Sequence, residues 1–398
     1  MTIAKGVSKK VAYKKEAVGQ WGVLPGATGA KYIRRVTANF NLTKETYESN
    51  EIRTDYQVAD MRHGVRSAEG SLNGELSPGS YGDFIASVVA RDWTAGVSIA
   101  SVSADIATGV GTKVYTLTRA TGSFVTDGLK VGMVVRLTGA TNLANNGNNL
   151  LVIAVTALVA TVRVLSETLL VAETGATLAI AQVGKQTYAP LTGHTDDSYT
   201  FEEFYSDIGQ SEVYTGLKVG SAAFQLPSTG LVTCDFSFMG KNLEQTGTSQ
   251  YFTSPTAANT EGIFAAVSGA VVVNGVPVAV ITSADFTIDR GLEAANVVGS
   301  NFAADVFTGR IRVSGNMSTY FQDATFRDYF DDEAQISVII ALSTGSEKDA
   351  DVVAFTLPRV KLGSATKNDT EMGITQDHSF TALLKDNDTT IFIQDSSL

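Results

Sequence analysis

The residues that carry most chemistry are few and scattered. The three histidines, His63, His194 and His378, lie far apart, and a lone histidine is usually structural. His194 is followed by Asp196 and Asp197, a composition that can bind a cation, but the polar setting beside Gly193 points to an exposed acidic loop. Gly109-Val-Gly111 with Lys113 has the wrong spacing for a phosphate loop, and no helix is readable after it. Asp349-Ala-Asp351 and Asp386-Asn-Asp388 lack the glycine and distal glutamate of a calcium loop and read as turns. The single cysteine, Cys234, excludes an internal disulfide framework and cysteine-based zinc sites. No Gly-x-Ser-x-Gly elbow is present, and nothing in the spacing singles out paired carboxylates. The expectation is a protein that is not an enzyme and takes no cofactor or metal.

Bulk properties agree with a packed, non-catalytic chain. With 398 residues and 44% hydrophobic content, the sequence can bury large cores in two or three domains. Acids outnumber bases, 41 to 30, for a formal charge of −11. No run of consecutive bases suggests a nucleic-acid groove. Lys5, Lys9, Lys10, Lys14 and Lys15 form the only basic cluster, expected to be a solvated arm. No apolar signal core and no run of eighteen apolar residues is present, so synthesis in the cytoplasm and no membrane span are expected.

The chain's organisation is set by a stretch that occurs twice. Residues 64–85 read as a glycine-marked alternating strand, a Pro-Gly turn and a helix start, and residues 309–330 repeat that grammar. One constant shift lays Gly64 on Gly309, Gly70 on Gly315, Leu72 on Met317 and Asp83 on Asp328. It also lays Ser80-Tyr-Gly-Asp-Phe-Ile85 on Thr325-Phe-Arg-Asp-Tyr-Phe330, matching Ser80 with Thr325 and Phe84 with Tyr329. A hydroxyl three residues before an acid predicts a capped helix start in both copies. Phe84, Ile85, Val88 and Val89 then form an apolar stripe suited to packing on a sheet.

Further echoes keep the same order. Thr37-Ala-Asn-Phe-Asn-Leu-Thr-Lys44 resembles Ser283-Ala-Asp-Phe-Thr-Ile-Asp-Arg290, and Thr215-Gly-Leu-Lys-Val-Gly-Ser221 resembles Thr356-Leu-Pro-Arg-Val-Lys-Leu-Gly-Ser364. Phe236-Ser-Phe-Met-Gly-Lys-Asn242 resembles Phe380-Thr-Ala-Leu-Leu-Lys-Asp386. The chain therefore reads as two tandem copies of one β-rich unit with a single helix each. The spacing between copies shortens after the first helix, so the first copy contains an extra segment. Its composition turns to Ala, Val, Thr, Leu and Gly, with alternating runs at 113–118, 133–138, 150–156 and 160–165. Turn-forming Gly139 and Asn142 to Asn149 lie between them, which predicts a small all-β module. The expected division is 1–96 plus 187–260 for the first unit, 97–186 for the insert and 261–398 for the second unit.

In the second copy, Asn274-Gly275 between β-branched runs predicts a two-residue hairpin. From Arg310 to Tyr320, Ile311, Val313, Gly315 and Met317 face one way and Arg312, Ser314, Asn316 and Ser318 the other. Further strands are expected at 336–342, 351–360, 379–384 and 389–393.

Across these segments the sequence resembles the tail tube (major tail) proteins of long, non-contractile-tailed bacteriophages. The residues that carry the resemblance are Glu51-Ile-Arg53, Asp55 and Gly70 to Leu76 with the helix after it. In the second half they are Ser283 to Asp289, Gly309 to Phe330, Leu357 to Lys361 and Phe380 to Leu383. The resemblance implies β-sandwich or partial-barrel units, each with one flanking helix, whose strands join those of neighbours in a closed ring. It implies stacked rings forming the tube that conducts DNA into the host, with the virion tail as location. Partners would be the chain itself and the tape measure, terminator and distal tail proteins, with DNA only transiently in the lumen. Duplication makes a trimeric ring with pseudo-sixfold symmetry the expectation, a hexamer of chains the alternative. The competing function is a surface or adhesion module of β-sandwich repeats, which the two matched helices count against.

Overall fold

A computed structural model describes residues 3–369, 371 and 373–398, and it is mainly β with two short α-helices. In chain order the first half supplies β1 (Lys9–Lys15), β2 (Thr37–Glu48), β3 (Met61–Glu75) and α1 (Gly82–Val89). Six strands follow: β4 (Ser98–Thr108), β5 (Val114–Arg119), β6 (Val134–Thr138), β7 (Leu150–Val155), β8 (Val159–Val164) and β9 (Glu173–Gln182). Then come β10 (Tyr199–Tyr205), β11 (Gln210–Leu226) and β12 (Thr233–Gly240). The second half supplies β13 (Gly269–Val273), β14 (Ile281–Asp289), β15 (Arg312–Tyr320) and α2 (Thr325–Asp331). It closes with β16 (Ile336–Ser343), β17 (Val352–Leu362), β18 (Thr366–Asn368), β19 (Thr375–Ala382) and β20 (Phe392–Asp395).

One antiparallel run of strands crosses both halves in the order β2-β3-β12-β11-β14-β15-β19-β17. The first four strands come from the first half and the last four from the second. Strand β11 is long enough to serve two layers: its start pairs with β10 and its end with β12. Strand β17 does the same between β16 and β19. Each half thus folds as a two-layer unit, and period-2 alternation sends apolar side chains between the layers. That core is continuous through Phe40, Leu72, Phe201, Phe236, Phe238, Phe224, Phe286 and Phe355.

Helix α1 closes the first unit. Its apolar stripe is fully buried, and the Phe84 ring lies 4.9 Å from Tyr13, 5.3 Å from Tyr199 and 5.4 Å from Phe238. Helix α2 stays at the surface with Phe326 and Tyr329 half-buried, Phe326 stacking on the buried ring of His378. The helix starts differ from the expected capping box. Tyr81 and Ala324 occupy the cap positions and no side chain caps either helix. Ser77 donates to Ser80 Oγ instead, and Thr325 is already helical, its N–H donating to Asp323. Local hydroxyl and carboxylate partners outcompeted the cap.

The N-terminal lysines form no solvated arm. They lie on or beside β1, which pairs with β10 along its whole length, burying Val11 and Tyr13. The alternation Lys-Lys-Val-Ala-Tyr-Lys-Lys explains this: Val11 and Tyr13 turn inward, Lys9 pairs with Glu203 at 2.6 Å and Lys15 with Asp197 at 2.7 Å, Lys14 donates to the Gly26 and Thr28 carbonyls, and Lys10 stays exposed. The Asn274-Gly275 turn appears as the sequence requires, with φ of 51° and 79°.

Strands β4 to β9 close into a barrel in the order β8-β5-β4-β9-β6-β7 around Leu117, Phe124, Leu137, Val152 and Leu178. Its two ends are neighbours, since Ser98 pairs with Ala181. The barrel packs on the second unit's outer layer: Val134, Leu151 and Ile153 meet Val272, Ile339, Ala341, Val352 and Ala354. Gln394 bridges the two, accepting from the Val134 N–H and donating to the Val134 and Val183 carbonyls at 2.8 and 2.7 Å. Asn149, expected in a turn, is buried and donates to the Ala350 carbonyl.

Candidate assembly surface

The sheet that crosses both halves presents one continuous outer face. Seven strands share a cross-strand row, Thr37–Asn73–Asp235–Ala223–Thr287–Ser314–Thr381, on the side facing away from the core. Small hydroxyl, amide and acid side chains cover this face. Glu69, Glu75, Asp235, Asp285, Asp289 and Asp377 project from it, and Arg312 stands opposite Asp289. It spans both halves without a break, because β11 of the first unit pairs with β14 of the second from Ser221–Asp289 to Leu226–Ala284.

The duplicated residues fall on this framework in part. Gly70 pairs with Phe40 on one side and Phe238 on the other, and Gly315 pairs with Phe286 and Phe380. Leu72 and Met317 occupy matching core positions opposite Ala38 and Ala284. A Cβ on Gly70 would lie 2.1 Å from the Phe40 ring, and one on Gly315 would lie 2.7 Å from the Phe380 ring and 2.1 Å from the Asp285 carbonyl oxygen. The two glycines are there because aromatic rings cover them. Gly70→Ala and Gly315→Ala are each expected to cost about 1–3 kcal/mol through overpacking. Thermal denaturation of the soluble chain checks this, and wild-type melting of both variants would refute it.

Other matched residues do not coincide. Gly64 lies within β3 against the Tyr47 ring, whereas Gly309 precedes β15 and its N–H donates to Arg290 O at 2.6 Å. Asp83 accepts from Tyr13 Oη at 2.8 Å and Lys31 Nζ at 2.9 Å, while Asp328 is exposed on α2. Phe84 is central to the aromatic core, and its counterpart Tyr329 is half-buried. The echo of Phe236 with Phe380 is out of step by two residues, because Phe238 shares the partner position of Phe380. Two hydroxyl contacts match across the halves: Ser221 with Ser237 at 2.7 Å and Ser364 with Ser379 at 2.9 Å. The recurring Gly-Ser of Gly220-Ser221 and Gly363-Ser364 is their sequence signal.

The chemically suggestive residues are engaged in structure. Asp196 pairs with Lys218 at 2.7 Å, and Asp197 with Lys15. Burial pushes the Asp197 carboxyl up against the downward pull of Lys15. Lys113 donates to Ser166 O and Glu167, and Asp388 pairs with Lys130. Buried Glu16 accepts from the N–H groups of Gly22 and Gly216 and from Ser198 and Thr200, pinning a loop to the outer layer. Among the described residues, no three His, Cys, Asp or Glu side chains are grouped to hold a metal ion. Among the described residues, no helix is long and apolar enough to cross a membrane.

The chain is mainly β, with a polar sheet face that runs without a break across both halves. The chain belongs to the phage tail tube protein family, whose family model matches residues 6–382. No curated protein matches it. Membership makes it a structural component of the phage tail, located in the virion, that assembles with itself and with other tail proteins.

Proposed function

We propose that three chains close into a ring with pseudo-sixfold symmetry, and that stacked rings form the tube through which DNA is ejected into the host. The carrying observation is the join between β11 and β14, which sets two like units edge to edge in one sheet. A sheet that repeats its unit within the chain can repeat it between chains, and closure removes every open edge. The units on this reading are 1–96 with 187–260, and 261–398, with 97–186 an exterior module. The duplicated set around Gly70, Leu72, Gly315 and Met317 marks equivalent places in the ring. A hexamer of chains is the alternative.

The polar sheet face lines the channel in this arrangement. Its acids repel DNA phosphates, so the cargo slides without being held. The barrel packs on the opposite side of the second unit, which supports an exterior position. With the lysine cluster folded into β1, the stacking contact passes to the loop of residues 49–60, where Ile52, Tyr56 and Val58 are exposed. Tape measure protein fills the channel before ejection, and terminator and distal tail proteins meet the tube's ends. Synthesis in the host cytoplasm and a long, non-contractile tail complete the reading. Cryo-EM of assembled tubes is expected to resolve three chains and six like units per ring; six chains would overturn the trimer.

A further inference from the structure

We propose that β18 of one copy pairs with β2 of the next in the register by which β11 pairs with β14 inside the chain. This rests on the ring reading above and adds the edges, the partner and the residue pairs.

The argument starts from equivalence of position. Strands β2 and β14 each flank the glycine strand of their unit, with Phe40 opposite Gly70 and Phe286 opposite Gly315. At the other side of each unit, Gly220-Ser221-Ala222-Ala223 and Gly363-Ser364-Ala365-Thr366 match, and their serines make the same hydroxyl contact to Ser237 and Ser379. Pairing agrees, since Ala223 lies opposite Asp235 and Thr366 opposite Asp377. So β18 is the counterpart of the end of β11, and β2 of β14. In the first unit that end carries β14. Among the described residues, β18 pairs only with β19 and β2 only with β3.

Transferring the internal register puts Ser364 opposite Thr43, Ala365 opposite Leu42, Thr366 opposite Asn41, Lys367 opposite Phe40 and Asn368 opposite Asn39. The Arg290 N–H donates to Gly220 O at 2.8 Å, which makes Ser221–Asp289 and Ala223–Thr287 non-hydrogen-bonded pairs. Thr366 and Asn41 inherit that type, so their Cβ atoms come within disulfide range. One substitution distinguishes the two seams. Inside the chain Phe224 stacks on Phe286 with ring centroids 5.1 Å apart, whereas Lys367 stands at the place of Phe224. A cation on an open edge discourages indiscriminate pairing, and it makes the seam between copies weaker than the seam within one.

The test is oxidation of tubes assembled from the Asn41→Cys/Thr366→Cys chain. Cys234 stays out of the chemistry because it is buried and burial pushes its thiol up. Denaturing gels without reductant are expected to show covalent oligomers at about tenfold the yield of the shifted pair Asn39→Cys/Thr366→Cys. Tubes that form without cross-links, or that cross-link equally in both pairs, overturn the register and leave the tube reading intact. Wild-type protein that forms neither rings nor tubes overturns the function proposed above. Hydrogen exchange on wild-type tubes gives a readout free of substitutions: the Phe40 and Leu42 amides gain protection on assembly, and their continued fast exchange overturns the pairing.

Discussion

Excision of residues 98–182, with the adjoining ends rejoined by a short linker, is expected to leave a chain that aggregates or stays molten instead of assembling. The ends themselves present no obstacle, because Ser98 pairs with Ala181 and Val97 N–H donates to Gln182. The difficulty lies on the second unit. Its outer layer buries Val272, Ile339, Ala341, Val352 and Ala354 under the barrel while the alternate residues Val338, Ile340, Leu342, Val353 and Phe355 fill the core. Burying each large aliphatic side chain contributes roughly 1.5–3 kcal/mol, so exposing Val272, Ile339 and Val352 alone forfeits about 5–9 kcal/mol. That is comparable to the whole stability of a typical domain, about 5–15 kcal/mol. Circular dichroism melting and sedimentation of the excised chain check the outcome. Adding Val272→Thr, Ile339→Thr and Val352→Thr is expected to restore solubility, which separates an uncovered apolar face from a faulty junction. A soluble excised chain that builds tubes would show the barrel to be dispensable.

Reversing Glu69, Asp285 and Asp289 to lysine is expected to turn a channel that releases DNA into one that holds it. On the proposed ring these side chains face the lumen, and each phosphate they neutralise adds about 0.9 to the slope of log affinity against log salt. Six to ten such contacts make binding fall by about 10³–10⁵ between 50 and 200 mM salt. Fluorescence anisotropy of a labelled duplex with assembled tubes measures this directly. Wild-type tubes should show no retention at either salt, and the triple variant steeply salt-dependent retention. Equal behaviour of the two would mean that the polar face does not line the channel. The substitutions lie on the sheet's solvent side, where Asp289→Lys opposite Arg312 and the lost Asn316–Asp285 hydrogen bond each cost about 0.2–1 kcal/mol, well below what unfolds the chain.

Sequence alternation was enough to read the strands, because a half-buried strand writes its burial pattern at period two. Ser71, Asn73, Ser314 and Asn316 alternate with Leu72, Val313 and Met317, and each set kept to its own face. The Asn-Gly turn and most strands of the barrel were legible for the same reason. Segments whose environment differs from their local pattern were not. Lys9 and Lys15 pair with Glu203 and Asp197, which reach them from distant parts of the chain and leave no mark on the local pattern. Ser80 and Thr325 read as helix caps, but Ser77 and Asp323 intervened. An echo fixes similarity and leaves register open: the sequence aligns Phe236 with Phe380, whereas Phe238 holds the equivalent pairing position.

By itself, the sequence determined a mainly β chain, the alternation that assigns each strand its buried face, and membership of the tail tube family. These are local or repeated properties, and composition and periodicity carry them. Only the tertiary structure decided that the two halves share one sheet through Ser221–Leu226 and Ala284–Asp289, that the barrel shields the outer layer of the second half, and that among the described residues β2 and β18 each pair on one side. Strand partners are chosen by the joint burial of faces contributed from distant segments, and that choice is written in no single stretch of the chain.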